Sequence, residues 1–250
     1  MKRHNILTFV LALVACTNED QPSPVLPEKA QVTINLQMPG LSLPTKSAAT
    51  ADENRINDLY VLMFTSEGYQ TSAKASSVTD KDEIGAEKTV AVNLPFVEQQ
   101  VDLVFLANIG EEGKDLLDRA EIGVSKEAFL SSMIFTCPES ASSVPLIPMW
   151  GECTVAEVSS SASISVTMLR SMAAVKLNIT DEVLNFTLEE VSFHNASSIG
   201  KIVPNADVWN GVNKVTGPSI PDGVGHNLLQ VETNSTATFY VPETSENGTG

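Results

Sequence analysis

The stretch Ala30-Gln31-Val32-Thr33-Ile34-Asn35-Leu36-Gln37-Met38 alternates without a break between apolar and polar residues. A strand places successive side chains on opposite faces, so Val32, Ile34, Leu36 and Met38 form one face and Gln31, Thr33, Asn35 and Gln37 the other. This period of two predicts a strand buried on one side. Pro39-Gly40 ends it. The same reading predicts strands over Ile56–Phe64 and Lys88–Leu94, and within Ser163–Asn178, Phe186–His194 and Thr236–Val241. Gln100–Asn108 differs: its apolar run Leu103–Ala107 fits a central strand covered on both faces.

Between these strands, Ser66-Glu67-Gly68 reads as a turn. Leu41–Arg55, Tyr69–Glu87, Pro145–Glu152 and Ile199–Asn227 lack periodicity or are rich in turn residues, and read as loops or irregular chain. Two short helices are expected, Asp115–Ile122 and Ser125–Met133, the second with Ser125 as its N-cap and Glu127 in its first turn. Many short strands and few helices predict an all-β protein of antiparallel β-sandwiches. A sandwich needs about seven strands, and the chain after Met168 offers fewer. The expected division is therefore an N-terminal sandwich over 30–168 and a partial, incomplete one over 169–250.

The chain has 250 residues, 31 acidic and 15 basic, for a formal net charge of −16. That balance speaks against nucleic acid, because little is available to neutralise phosphates. It speaks equally against a basic membrane-surface patch. Hydrophobic residues make up 42%, enough for a packed core rather than a disordered chain. Three Cys and three His, with no CxxC or HxxxH, predict neither metal nor cofactor. No Ser-His-Asp arrangement, P-loop or GxGxxG is present, and the carboxylates are scattered, so no enzyme is expected.

The first residues set the compartment. Met1-Lys2-Arg3-His4 is basic and Ile6–Val14 is apolar but far too short to span a bilayer. Leu13-Val14-Ala15-Cys16 resembles the lipobox of bacterial lipoproteins, in which the Cys is acylated and becomes the first mature residue. Residues 1–15 would then be a signal peptide, 16–29 a tether, and the outer membrane a partner through lipid on Cys16. Thr17-Asn18-Glu19-Asp20 is similar to the acidic export signal of surface lipoproteins. Cys137 and Cys153 are either a disulfide or two free thiols; a bridge would contribute about 3 kcal/mol by closing the intervening loop.

Five local patterns occur in an order that resembles the Bacteroides-type fimbrillins, the FimA/Mfa-like subunits of type V pili. Glu53-Asn54-Arg55-Ile56-Asn57-Asp58-Leu59-Tyr60-Val61-Leu62-Met63-Phe64, followed by Glu67-Gly68, is similar to the family's E-x-x-I-x-x-L-x-V-x-x-F…G strand. Val104–Asn108 resembles V-x-x-A-N, and Ile147-Pro148-Met149-Trp150-Gly151 resembles I-P-M-x-G. Leu169–Leu177 is similar to R-x-x-A-K-V, and Phe239-Tyr240-Val241-Pro242-Glu243 to F-Y-V-P-E.

The resemblance implies transthyretin-like sandwich domains and a structural role in a pilus, with other fimbrial subunits as partners. In polymerising members an arginine-directed protease cuts the loop after the first strand, and a strand of the next subunit replaces it. Here Val32, Ile34, Leu36 and Met38 would be the exchanged or self-completing strand. The cut would fall at Lys46, where the family prefers Arg, or at Arg55. Without a cut the same fold would serve as a lipid-held anchor or accessory subunit. The rival reading is a surface lipoprotein that binds glycan or a host or bacterial surface protein, for which an exposed Trp209 would be the anchor.

Overall fold

The computed structural model describes residues 29–38, 49–137, 144–159, 162–178, 190–193, 199–203, 227–230 and 236–242. In chain order these form β1 (Lys29–Gln37), a 3-10 turn (Asp52–Asn54), β2 (Leu59–Thr65), β3 (Gly68–Lys74), β4 (Ser77–Asp80), β5 (Glu87–Pro95) and β6 (Val101–Ala107). Next come α1 (Gly110–Asp118), α2 (Lys126–Ser131), β7 (Ile134–Thr136), β8 (Met149–Val155), β9 (Ser163–Thr167), β10 (Leu169–Arg170) and β11 (Met172–Asn178). The remainder are β12 (Glu190–Phe193), β13 (Ile199–Lys201), β14 (Asn227–Gln230) and β15 (Thr236–Pro242).

Two sheets face each other over one apolar core. One has the order β4-β5-β1-β9, the other β10-β8-β6-β2-β3. Further pairs join β11 to β15, β12 to β14 and β13 to β7. The expectation of an all-β sandwich is met.

The alternation of β1 becomes a strictly two-sided strand: Ala30, Val32, Ile34, Leu36 and Met38 are buried, while Gln31, Thr33 and Gln37 face solvent. Strand β6 is the middle of the five-stranded sheet, between β8 and β2, and its run Leu103–Ala107 is fully buried, as its unbroken apolarity requires. On β2 and α2, Phe64 and Phe129 meet edge-on at 5.8 Å, and Phe129 stacks on Tyr69 at 4.9 Å, which seats the helix on the β2–β3 hairpin. Ser125 caps α2, its hydroxyl accepting from the Ala128 amide at 3.2 Å.

The structure departs from the sequence reading at several places. Tyr69–Glu87 is not irregular; it holds β3 and β4. Strand β3 is held by backbone pairing with β2 across a bulge at Met63/Phe64, and β4 is a largely exposed edge with no apolar face to advertise it. The second half of the Pro145–Glu152 turn is the start of β8, recruited by pairing with β6, Trp150 lying opposite Leu106. The helix placed at Asp115–Ile122 begins at Gly110 and ends at Asp118, and no side chain caps its start. The loop assigned to Ile199–Asn227 opens with β13, which pairs with the unforeseen β7. Ser163–Asn178 is three strands, and each pairs elsewhere: β9 with β1, β10 with β8, β11 with β15.

The bridge considered between Cys137 and Cys153 is not formed, and both are free thiols. Cys137 follows β7, whose partner is β13, whereas Cys153 lies inside β8 against Leu103 of β6. Burial pushes both thiols up to about 11, helped at Cys153 by the Asp102 and Glu152 carboxylates. Trp150 is buried, as a core plug.

At one point the two sheets nearly touch. A Cβ on Gly151 would lie 2.7 Å from the Thr167 carbonyl oxygen and 2.8 Å from Val166 Cγ1. That close approach is why the I-P-M-x-G pattern ends in glycine. Gly151→Ala is expected to lower stability by about 1–3 kcal/mol, through forced displacement of the β9 backbone; urea titration of the variant measures it.

Candidate functional site

The site the sequence points to is the slot filled by β1. This strand is interior to its sheet. It runs antiparallel to β5 over its whole length, from Lys29 opposite Pro95 to Gln37 opposite Glu87. On its other side it runs parallel to β9, from Thr33 opposite Ser163 to Gln37 opposite Thr167. Its inward side chains end in the core: Val32 and Ile34 have no exposed surface. Removing the strand would leave the bonding edges of β5 and β9 open above an apolar groove.

Lys88 of β5, opposite Leu36, points inward and is buried, yet its ammonium reaches Asp80 on β4 and forms an ion pair at the rim. Its methylene stem thus completes the groove beside Leu36 while its charge stays at the edge.

Strand β1 is followed in sequence by residues 39–48, outside the described set, and the chain re-enters at Thr50 into a dense polar junction. The Thr50 amide donates to Glu53 Oε2 at 2.7 Å, and the Glu53 amide to Thr50 Oγ1 at 3.3 Å, a reciprocal pair of the capping-box kind. Glu53 is buried. Its Oε1 accepts from the Tyr240 hydroxyl at 3.0 Å and lies 3.5 Å from the Lys176 ammonium. Arg170 donates through Nε to the Glu53 carbonyl at 3.2 Å and through its other arm to Asn54 Oδ1. Asn54 Nδ2 donates to the Ile84 carbonyl at 2.7 Å.

Beside this stands Asn108, a non-glycine residue with φ of 56°. Its Nδ2 donates to the carbonyls of Arg55 at 2.8 Å and Ile147 at 2.9 Å, and its Oδ1 accepts from the Asn57 amide at 2.9 Å.

The structure thus brings the five patterns to one place. Glu53 and Asn54 come from the first, Asn108 from the second, Ile147 from the third, Arg170 and Lys176 from the fourth and Tyr240 from the fifth. Sequence reasoning found the patterns but assigned none of these residues a role. The signal lay in their being polar at positions flanking apolar strands, and nothing local says that they meet.

Burial alone would raise the Glu53 carboxyl; the Thr50 amide, the Tyr240 hydroxyl and the Lys176 ammonium outweigh it and hold the group below its ordinary 4.5. The Tyr240 hydroxyl is correspondingly raised, by burial first and then by the Glu53 charge. A carboxyl depressed on folding contributes stability above its ordinary value and loses it as pH falls through its folded value. Glu53→Gln is therefore expected to cost about 1–3 kcal/mol at pH 7. The gap to the parent chain should narrow steadily below about pH 4.5, as parallel urea titrations at both pH values would register.

Of the other residues singled out, Arg55 has an exposed side chain, but its backbone is held: its amide donates to the Asp52 carbonyl at 3.2 Å and its carbonyl accepts from Asn108. Cys16, Lys46, Trp209, His194 and His226 lie outside the described residues. Among the described residues no group of three or more His, Cys, Asp or Glu is gathered as for a metal ion. No described helix is long and apolar enough to cross a membrane.

Sandwiched sheets, an interior first strand and a polar knot built from distant segments define a β-sandwich protein. Residues 30–133 match the family described as "Major fimbrial subunit protein (FimA)". The matched stretch holds the first two of the five patterns, so over that part the chain is similar to the family the patterns resemble.

Solved structures of the same fold include a fimbrial assembly protein from Parabacteroides distasonis, 14% identical, with TM-score 0.52, over 88% of this chain and 79% of that one. The tip fimbrial protein Mfa3 from Porphyromonas gingivalis, with a C-terminal truncation, is 16% identical with TM-score 0.53, over 88% of this chain and 71% of that one. A candidate cell adhesion protein from Parabacteroides distasonis is 15% identical with TM-score 0.59, over 89% and 73%. No curated protein matches the chain.

Proposed function

We propose that the chain is a pilus subunit, or an anchor or accessory protein of one, exported as a lipoprotein through Cys16 and joined to its neighbours by exchange of the β1 strand. The observation that carries this reading is the place of β1. It is an interior strand between β5 and β9 whose four inward side chains, with Met38 just after them, fill the core. It is also the first described strand, next to the proposed tether. An occupant of that slot gains main-chain bonds from two flanking strands and specificity from alternate side-chain pockets, which is the chemistry of strand addition.

The polar junction supports the same reading. It fixes the chain from Thr50 to Asn57 onto β6, β10, β11 and β15, so the loop can be opened upstream of it without loosening the sandwich. Of the two basic residues considered for a cut, Arg55 is held at both its backbone groups. Lys46 is the only basic residue between Pro39 and Asn54.

The test is the N-terminus of the protein recovered from the surface of the cells that make it, read by mass spectrometry. An acylated Cys16 on the intact chain identifies an anchor or accessory subunit. A free N-terminus at Ser47 identifies a subunit whose first strand is removed for assembly. An unlipidated start near residue 16 would overturn the lipoprotein assignment.

A further inference from the structure

The two ends of β1 are held very differently. From Lys29 to Val32 the strand pairs only with β5 among the described residues. Strand β9 begins at Ser163, and the Ala162 amide just before it donates to the Ser159 carbonyl at 3.1 Å rather than to β1. From Thr33 to Gln37 both β5 and β9 flank the strand. That half carries three further ties. The Met38 amide donates to the Ala86 carbonyl at 2.7 Å and the Met168 amide to the Gln37 carbonyl at 2.8 Å. The Lys81 ammonium donates to Asn35 Oδ1 at 2.8 Å.

The buried side chains follow the same gradient. Ala30 contributes one methyl and Val32 two, whereas Ile34, Leu36 and Met38 are full-sized anchors. Main-chain bonding and apolar burial are thus both concentrated in the half nearest the following loop. A strand is lost by breaking its contacts in sequence, and the end with fewest opens at the lowest free energy.

We infer that β1 peels from its Lys29 end, and that a strand replacing it seats first against the Pro95–Val92 end of β5 and then displaces β1 toward Gln37. The use of this polarity rests on the strand-exchange reading above, but the polarity itself is a property of the uncut chain. A cut after Met38 frees the strand covalently without weakening its strong end. The rate of exchange is then set at the opposite end, where the tether leaves, and an incoming strand is selected first by the small pockets of Ala30 and Val32.

The experiment is amide hydrogen exchange on the intact, full-length protein, read residue by residue, with Val32→Ala and Leu36→Ala alongside. Among amides bonded to β5, those of residues 30–33 are expected to exchange about tenfold or more faster than those of 34–37. Because the second half opens only after the first, Val32→Ala should speed exchange through the whole strand, and Leu36→Ala in the second half alone. Equal protection along β1, a reversed gradient, or a Val32→Ala effect confined to the first half would each overturn the inference. Because no cut chain is involved, a failure here leaves the strand-exchange reading to the N-terminal measurement, and the reverse holds equally.

Discussion

Ile34→Asp is expected to abolish stable folding of the first sandwich. Ile34 lies at the centre of β1, opposite Val90 and Ile164, with no exposed surface. The substitution removes about 2–3 kcal/mol of apolar burial. It also places a carboxylate where the paired positions on β5 and β9 are both apolar, and an unpaired buried charge costs several kcal/mol more. Together this exceeds about 4–5 kcal/mol, a large part of the whole stability of a typical domain. The carboxyl can escape part of the cost by staying protonated, so the variant should recover partly at acid pH.

The neighbouring change Thr33→Asp tests the geometry rather than the chemistry. Thr33 is one residue away but on the solvent face, and its variant is expected to stay within about 0.5 kcal/mol of the parent. Urea titrations of the pair decide the matter: similar stabilities for both would mean that β1 does not fill the core, and the slot would cease to be a site.

Asn108→Ala is the second large effect. The side chain makes three bonds, two to carbonyls and one from an amide. Each is worth about 1 kcal/mol net, and a buried group left unpaired costs more. The Ile147 carbonyl is such a group, since its bond to Asn108 is buried. The backbone adds to the loss: φ is 56° here, a conformation that asparagine tolerates and alanine resists by about 1–2 kcal/mol. The expected total is about 3–5 kcal/mol.

Two further substitutions separate the contributions. Asn108→Gly relieves the backbone term and should be about 1 kcal/mol less damaging than alanine. Asn108→Asp keeps the acceptor for Asn57 but turns a second oxygen toward two carbonyls, and should be no better than alanine. Thermal unfolding of the three variants gives the order; an alanine variant as stable as the parent would remove Asn108 from the junction.

What could be read in the chain depended on how local its cause was. The alternation at 30–38, the apolar run at 103–107 and the Ser125 cap each follow from neighbouring residues, and the structure has them as strand, central strand and cap. Strands β3, β4, β7 and β13 carry weak or no alternation of their own. They form because a partner supplies backbone bonds, and a partner is not a local property. The start of β8 was hidden for the same reason, its prolines suggesting a turn just where β6 recruits the chain. The free cysteines show the converse: two thiols at bridgeable spacing in the sequence were carried into different strand pairings.

The candidate site divides in the same way. By itself the sequence determined that the protein is all-β, that residues 30–38 carry one buried face, and which segments resemble fimbrillin patterns, because period and residue type act over a few positions. Only the tertiary structure decided that β1 lies inside its sheet, that one half of it is flanked on both sides, and that Glu53, Asn108, Arg170 and Tyr240 meet. Those facts depend on pairings between residues dozens to nearly two hundred positions apart. Such pairings arise because buried polar groups must find partners and open strand edges must be covered, whatever their distance along the chain.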